Sequence, residues 1–198
     1  MKVSICIPIH DSQKTAFYLS RLLKSVAEQT FTDYELVITK DGSMPANTNA
    51  SIKKAKGELL KIMYVDDYFA HPNALQEIVD NFKEEDMWLA TGCLHAQDNE
   101  TPHSPHLPEY THDIHTGNNR LGSPSVITLR NQSHLLFDEN LSFLLDCDLY
   151  KRYYETYGEP KLINDLNVVI GLHPEQVSNV MPEREKLLEF EYMRNKYA

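Results

Sequence analysis

The feature that most constrains this chain is the way its hydrophobic periodicity alternates over residues 3–94. Val3, Ile5, Ile7 and Ile9 alternate, which predicts a strand ending near Pro8–His10. Asp11 or Ser12 then offers a helix N-cap, and Leu19, Leu22, Leu23, Val26 and Ala27 follow at helical spacing. "YELVITKDGS" reads as a second strand closing in a polar turn at Asp41–Ser43. "PANTNASIKKAKG" reads as a short helix with Gly57 as its C-cap. "ELLKIMYV", the helix "HPNALQEIVDNF" and the strand "MWLATGCL" complete a β-α-β-α-β-α-β series. Such a series predicts parallel strands, right-handed crossovers and helices on both faces.

The second half is less regular. Residues 95–119 hold three prolines and five histidines, at 95, 103, 106, 112 and 115, and read as a long irregular excursion. These histidines lack tight metal-ligand spacing and read mainly as solvated loop residues. "SPSVITLR" is a strand, "DCDLYKRYYETYG" a helix and "KLINDLNVVIGLH" a strand. "PEREKLLEFEYMRNK" is a charged helix whose Leu187, Leu188, Phe190 and Met193 are expected to pack. The expected organisation is one domain over 1–198: a nucleotide-binding half at 1–94, a second half at 95–181 with the 95–122 excursion, and a final helix at 182–198.

Composition narrows the partners. At 198 residues and 41% hydrophobic content, the chain suits one globular unit. A net charge of −10 with no Lys/Arg run argues against a nucleic-acid polymer as ligand. The odd count of three cysteines, none in a CxxC pair, reads as reduced core thiols in a reducing compartment. No apolar run approaches a membrane span. The expected location is cytoplasmic, with peripheral membrane contact left open.

In an open α/β sheet, ligands bind beyond the carboxyl ends of the strands. Three polar groups fall there: Pro8–Asp11, Asp41–Ser43 and the adjacent Asp66 and Asp67. Each alone reads as an ordinary turn. Together they outline a site. Adjacent carboxylates repel unless solvated or cation-bound. Oxygen ligands of this kind suit Mg²⁺ or Mn²⁺ held jointly with substrate phosphates.

The stretch "VSICIPIHD…SVAEQTFTDYELVITKDGS…NASIKKAKGELLKIMYVDD" resembles the nucleotide-binding half of family 2 glycosyltransferases. Asn49, Ala55, Gly57 and Glu58 keep the family's mutual spacing. "FDENLSFLLDCDLYKR" and "VVIGLHPEQVSN" resemble two later family segments. The departures are Lys40 in place of the first Asp of "DDGS", Leu145 in place of a Glu, His10 in place of a Tyr, and a shortened Ser43–Asn49 connection.

The resemblance implies a compact, shortened GT-A fold with a Rossmann-like, mostly parallel sheet. It also implies a metal-dependent, inverting transfer from a UDP-sugar, with glucose or galactose as default donors. The acceptor would be a glycan, a lipid-linked sugar or a protein, bound by the excursion and Asp146. Asp67 and His173 would ligate Mn²⁺ or Mg²⁺, and Asp66 would face the ribose or sugar. Pro8, Ile9 and His10 would line the base pocket, Asp41 would accept the uracil N3–H, and Asn49 and Lys53 would help hold the nucleotide. Asp146 would be the general base. It also opens a predicted helix, where a carboxylate gains about 0.3–1 kcal/mol from the dipole, and Asp148 is its alternative. Two other readings stand beside this one. A non-catalytic nucleotide-sugar-binding domain is compatible with the missing segment. A nucleotidyltransferase is disfavoured because "IPIHDSQKT" lacks a Gly-rich basic loop.

Overall fold

The computed structural model describes residues 2–98, 100–132 and 135–198. In chain order the elements are β1 (Val3–Pro8), α1 (Thr15–Ala27), β2 (Tyr34–Thr39), α2 (Met44–Lys54), β3 (Leu59–Ile62), β4 (Tyr68–Phe69) and α3 (Ala74–Asn81). They continue as β5 (Trp88–Ala96), β6 (His103–His106), β7 (Ile127–Arg130), α4 (Leu145–Tyr157), β8 (Lys161–Gly171), α5 (Val177–Val180) and α6 (Glu183–Lys196). The described strands form a single sheet in the order β2-β1-β3-β7-β5-β8-β4, with β6 paired to β5.

Periodicity explains the centre of this sheet. β1 is buried at all six positions, as befits a strand covered on both sides. It pairs in parallel with β2 and β3. β5 runs the same way and pairs in parallel with β8. Five of the eight strands therefore share one direction, and the mostly parallel expectation holds. β7 is the exception within the centre. It enters between β3 and β5 and is antiparallel to both. A four-residue strand, Ile127–Arg130, carries no signal of direction, so the alternation in the first half could not reveal this insertion.

Several local expectations are corrected. α1 starts at Thr15 with Lys14 at its N-cap and no side-chain cap; Asp11 and Ser12 lie before it, and Ser12 Oγ accepts the Lys14 N–H at 3.3 Å. Gly57 does not cap α2, whose C-cap is Ala55. Gly57 lies flat against β1 and donates its N–H to Ser4 Oγ at 2.7 Å. A Cβ there would stand 2.6 Å from the Ser4 backbone nitrogen. The described residues of the 95–122 excursion are held by pairing and burial. β6 pairs antiparallel with β5, Ile114 and Leu121 are fully buried, and Glu109 N–H donates to Arg120 O. Its histidines act as pins: His95 Nδ1 meets Ser104 O and His106 Nε2 meets Arg120 O. In α6, Met193 is buried and Phe190 half-buried, but Leu187 and Leu188 are 59% and 55% exposed. The three cysteines are free and buried. No helix among the described residues is long and apolar enough to cross a membrane.

Gly57→Ala forces backbone against backbone, and overpacking of this kind costs about 1–3 kcal/mol. Chemical denaturation should register that loss, and an unchanged midpoint would show that β1 yields to the added methyl.

Candidate active site

The carboxyl ends of β1, β3 and β8 open on a cleft of about 570 Å³. Its lining comes from short segments that leave those strands. Pro8, His10, Asp11 and Ser12 follow β1, Tyr64, Val65 and Asp66 follow β3, and His173, Glu175 and Gln176 follow β8. Tyr18 of α1 and Met44 of α2 close one part, and Ser142, Phe143 and Asp146 at the start of α4 close another. Of the expected site residues, Pro8, His10, Asp66, His173 and Asp146 are brought together here. Ile9, Asp41, Asn49, Lys53 and Asp67 are not in the lining.

The paired aspartates divide opposite to expectation. Asp66 faces the cleft, and its Oδ2 lies 3.0 Å from His173 Nε2. That contact holds the His173 imidazole above its ordinary pKa, more strongly than partial burial pulls it down. Asp67 turns inward. It is 2% exposed, and its Oδ1 accepts the Gly171 N–H at 2.9 Å. Burial, and after it the neighbouring Asp66 charge, hold the Asp67 carboxyl well above the usual range. Consecutive residues leaving a strand point to opposite sides, so only one of the two can reach the ligand.

Arg21 secures this corner. Its guanidinium donates to the Asp66 carbonyl at 2.6 Å and lies 4.5 Å from the Tyr68 ring centroid. Gly171 allows β8 to pass close behind, because a Cβ there would overlap the Asp66 carbonyl oxygen. On the other side, His10 has its Nε2 buried without a hydrogen-bond partner among the described residues. Burial lowers its pKa, against the opposing pull of Asp66 and Asp11.

Asp146 stands in the first turn of α4. Its Oδ2 accepts from Asn119 Nδ2 and its Oδ1 from the Cys147 N–H, both at 2.8 Å. Burial outweighs these donors and raises its pKa. Asp148, the alternative at sequence level, is fully buried and engaged elsewhere. Arg152 reaches its Oδ2 at 2.6 Å, and Lys196 and Tyr197 reach its Oδ1 at 2.7 Å. The N-terminus of α4 is held by a neighbour. Glu189 of α6 accepts the N–H groups of Ser142, Phe143 and Leu144 at 2.8–2.9 Å.

The remaining expected residues have other work in the fold. Asn49 is buried and exchanges hydrogen bonds with the Phe137 backbone, reaching Glu139 as well. Lys53 is exposed on α2, and Asp41 is exposed in the turn after β2. Asn47, which the sequence did not single out, braces that turn. Its side chain accepts the Asp41 N–H and donates to the Ile9 carbonyl. Asn119 was also missed, because it lies in a segment with no periodicity to orient it. Arg21 was hidden on the polar side of a predicted helix.

Whether these residues suit a divalent cation can be judged from the cleft. No group of three His, Cys, Asp or Glu side chains converges among the described residues. Mg²⁺ and Mn²⁺, however, are commonly held by one or two carboxylates together with substrate phosphates. Asp66 with His173 meets that requirement, and Asp67 does not.

Residues 4–65 match the family model described as glycosyl transferase family 2. No curated protein matches the chain in sequence. Among solved structures, S. aureus TarS 1–349 in complex with UDP is 19% identical. The match covers 100% of this chain and 72% of that one, at a TM-score of 0.66. The TarS 1–349 complex with UDP-GlcNAc is 20% identical, with 96% and 64% covered and a TM-score of 0.70. Against the longer TarS structure the chain spans only 43% of that length.

Replacing Asp66 by Asn removes the partner that raises His173. The His173 pKa, followed by NMR, should fall toward the ordinary 6.5. The sign for stability follows: the pair stabilises the fold below about pH 6.5 and is lost as pH rises through the raised value. An unmoved His173 titration would refute the contact. Residues 4–65 are similar to glycosyl transferase family 2, and the chain as a whole shares the mixed α/β fold of the TarS structures.

Proposed function

We propose that this chain transfers a sugar from a UDP-sugar to an acceptor hydroxyl, with a divalent cation held by Asp66 and His173 and with Asp146 as general base. One observation carries the reading. The cleft gathers the Asp66–His173 pair and Asp146 into one lining, and that lining contains no Lys or Arg. A diphosphate leaving group would find no Lys or Arg side chain there. Mn²⁺ or Mg²⁺ would supply the missing positive charge on the departing diphosphate. The TarS complexes with UDP and UDP-GlcNAc, on the same fold, support a uridine nucleotide as donor.

The chain's own residues then divide the work. Pro8 and the half-buried His10 ring offer a wall for the base, and the unpartnered His10 Nε2 offers a polar contact. Asp66 and His173 orient each other. Asp146 accepts the acceptor proton as the hydroxyl oxygen attacks the anomeric carbon, which suits an inverting displacement. Its raised pKa makes it a better base than an ordinary aspartate, and Asn119 and the Cys147 N–H fix its oxygens. The transition state resembles an oxocarbenium ion, as in glycoside hydrolysis.

Calorimetry with UDP, with and without Mn²⁺, tests the donor half. Asp66→Ala should abolish the Mn²⁺-dependent part of binding, and unchanged affinity would remove Asp66 from the site. Asp146→Asn should leave UDP affinity intact and lower transfer by about 10²–10⁴-fold. In the wild type, transfer should fall as pH drops through a value above the ordinary aspartate pKa of 3.8. Mn²⁺-independent binding of UDP would argue against the cation, and equal transfer by the Asn variant would argue against the base.

A further inference from the structure

Asp146 belongs to the walls of two cavities. One is the cleft. The other, of about 240 Å³, is bounded by Gly117 and Asn119 of the excursion and by Ser142, Phe143 and Ser178, which also line the cleft. A base that takes a proton from one substrate while the other reacts must be reachable by both. A carboxylate in the walls of two adjoining cavities satisfies that condition.

The two spaces differ in size and chemistry. The cleft falls within the roughly 300–1,000 Å³ of ligand-sized sites, and the second cavity falls below it. It suits one small unit rather than a length of polymer. Among the described residues Asp146 is its only charged lining residue, with Asn119, Ser142 and Ser178 as neutral polar groups and Phe143 as an apolar ring. The adjoining cleft adds Asp11, paired with Lys40 at 2.7 Å, Asp66, paired with His173 at 3.0 Å, and Glu175, with no Lys or Arg among its described lining residues. Nearby cations are already engaged. Lys186 donates to Ser178 O at 2.9 Å and lies 5.3 Å from the Phe143 ring centroid, and Arg120 pairs with Glu109 at 3.1 Å. A phosphate group entering the second cavity would meet Asp146, whose partners there, Asn119 and the Cys147 N–H, are neutral, and like charges repel.

We infer that the second cavity seats the acceptor, and that the unit it accepts is a neutral, hydroxyl-bearing ring or polyol without phosphate. The inference rests on the sugar-transfer reading. In the step, the acceptor O–H bond breaks and its proton goes to Asp146. The oxygen forms the new bond to the anomeric carbon, and the bond from that carbon to the diphosphate breaks. UDP leaves with the electron pair.

The test uses the full chain with Mn²⁺, UDP-glucose or UDP-GlcNAc, and release of UDP as readout. Matched acceptors are supplied: methyl glycosides of glucose, galactose and N-acetylglucosamine, ribitol, and the same compounds carrying one phosphate monoester. At least one neutral acceptor should raise UDP release above donor alone. Its phosphorylated counterpart should show kcat/KM lower by at least about tenfold, as expected for uncompensated like charge. Ser178→Lys, which adds a cation to the shared wall, should narrow that ratio. Equal or better use of the phosphorylated member by the wild type would overturn the inference. No stimulation by any neutral acceptor, with Mn²⁺-dependent UDP binding intact, overturns it and leaves the transferase reading standing. Loss of UDP binding as well overturns both.

Discussion

The cleft depends on one sealed hydrogen bond, from the Gly171 N–H to the buried Asp67 carboxylate. The two residues lie 104 positions apart, so this contact joins the end of β8 to the loop after β3. It sets the distance at which His173 meets Asp66. Burying a carboxylate is costly unless it is paired or hydrogen-bonded. Here the Gly171 donor, Ser125 and the charge of Arg21 all favour the ionised form, against burial and the Asp66 charge. Lys61, sealed in β3, is part of the same interior. Its ammonium donates to the Ser125 and Ile127 carbonyls, and burial pulls its pKa down to about 7 while Asp67 resists that pull. The polar interior behind the cleft thus fixes the backbone from which Asp66 projects.

A second set of constraints governs Asp146, and it comes from parts of the chain with weak sequence signals. Glu189 of α6 holds the turn that leads into α4, accepting the N–H groups of Ser142, Phe143 and Leu144. Asp148 anchors the other end of α6 through Lys196 and Tyr197. Asn119 of the excursion fixes the carboxylate itself. The final helix fixes the backbone on either side of Asp146, and the histidine-rich segment fixes its carboxylate.

The parallel half of the sheet was legible because its strands and helices carry strong periodicity; of the three polar strand ends, those after β1 and β3 line the cleft and Asp41–Ser43 after β2 does not. What failed was direction at the level of single residues. "VDD" shows two carboxylates leaving a strand, but the side each faces is decided by packing behind the strand, at Gly171 and Ser125. In "DCD" the two aspartates lie about 200° apart around a helix, and which one meets ligand depends on the partners that α6 and Arg152 supply. Asn49 keeps the family's spacing, yet its amide is consumed in holding Phe137. The histidines of 95–122 read as solvated because their partners are mostly backbone carbonyls and ring faces distant in sequence or unmarked by pattern.

The aromatic cluster under the excursion has a practical consequence. Trp88 is the chain's single tryptophan. Its indole N–H is fixed to the Gly158 carbonyl, and its ring meets Tyr153 of α4 at 5.6 Å and, edge-on, Tyr110 of the excursion at 6.1 Å. Tyr110 in turn stacks on Tyr154 at 4.4 Å. Intrinsic fluorescence excited at the indole therefore comes from one site, wedged between the sheet, α4 and the segment that positions Asn119. The protein carries its own optical gauge of whether the excursion is seated, with no competing indole to blur it.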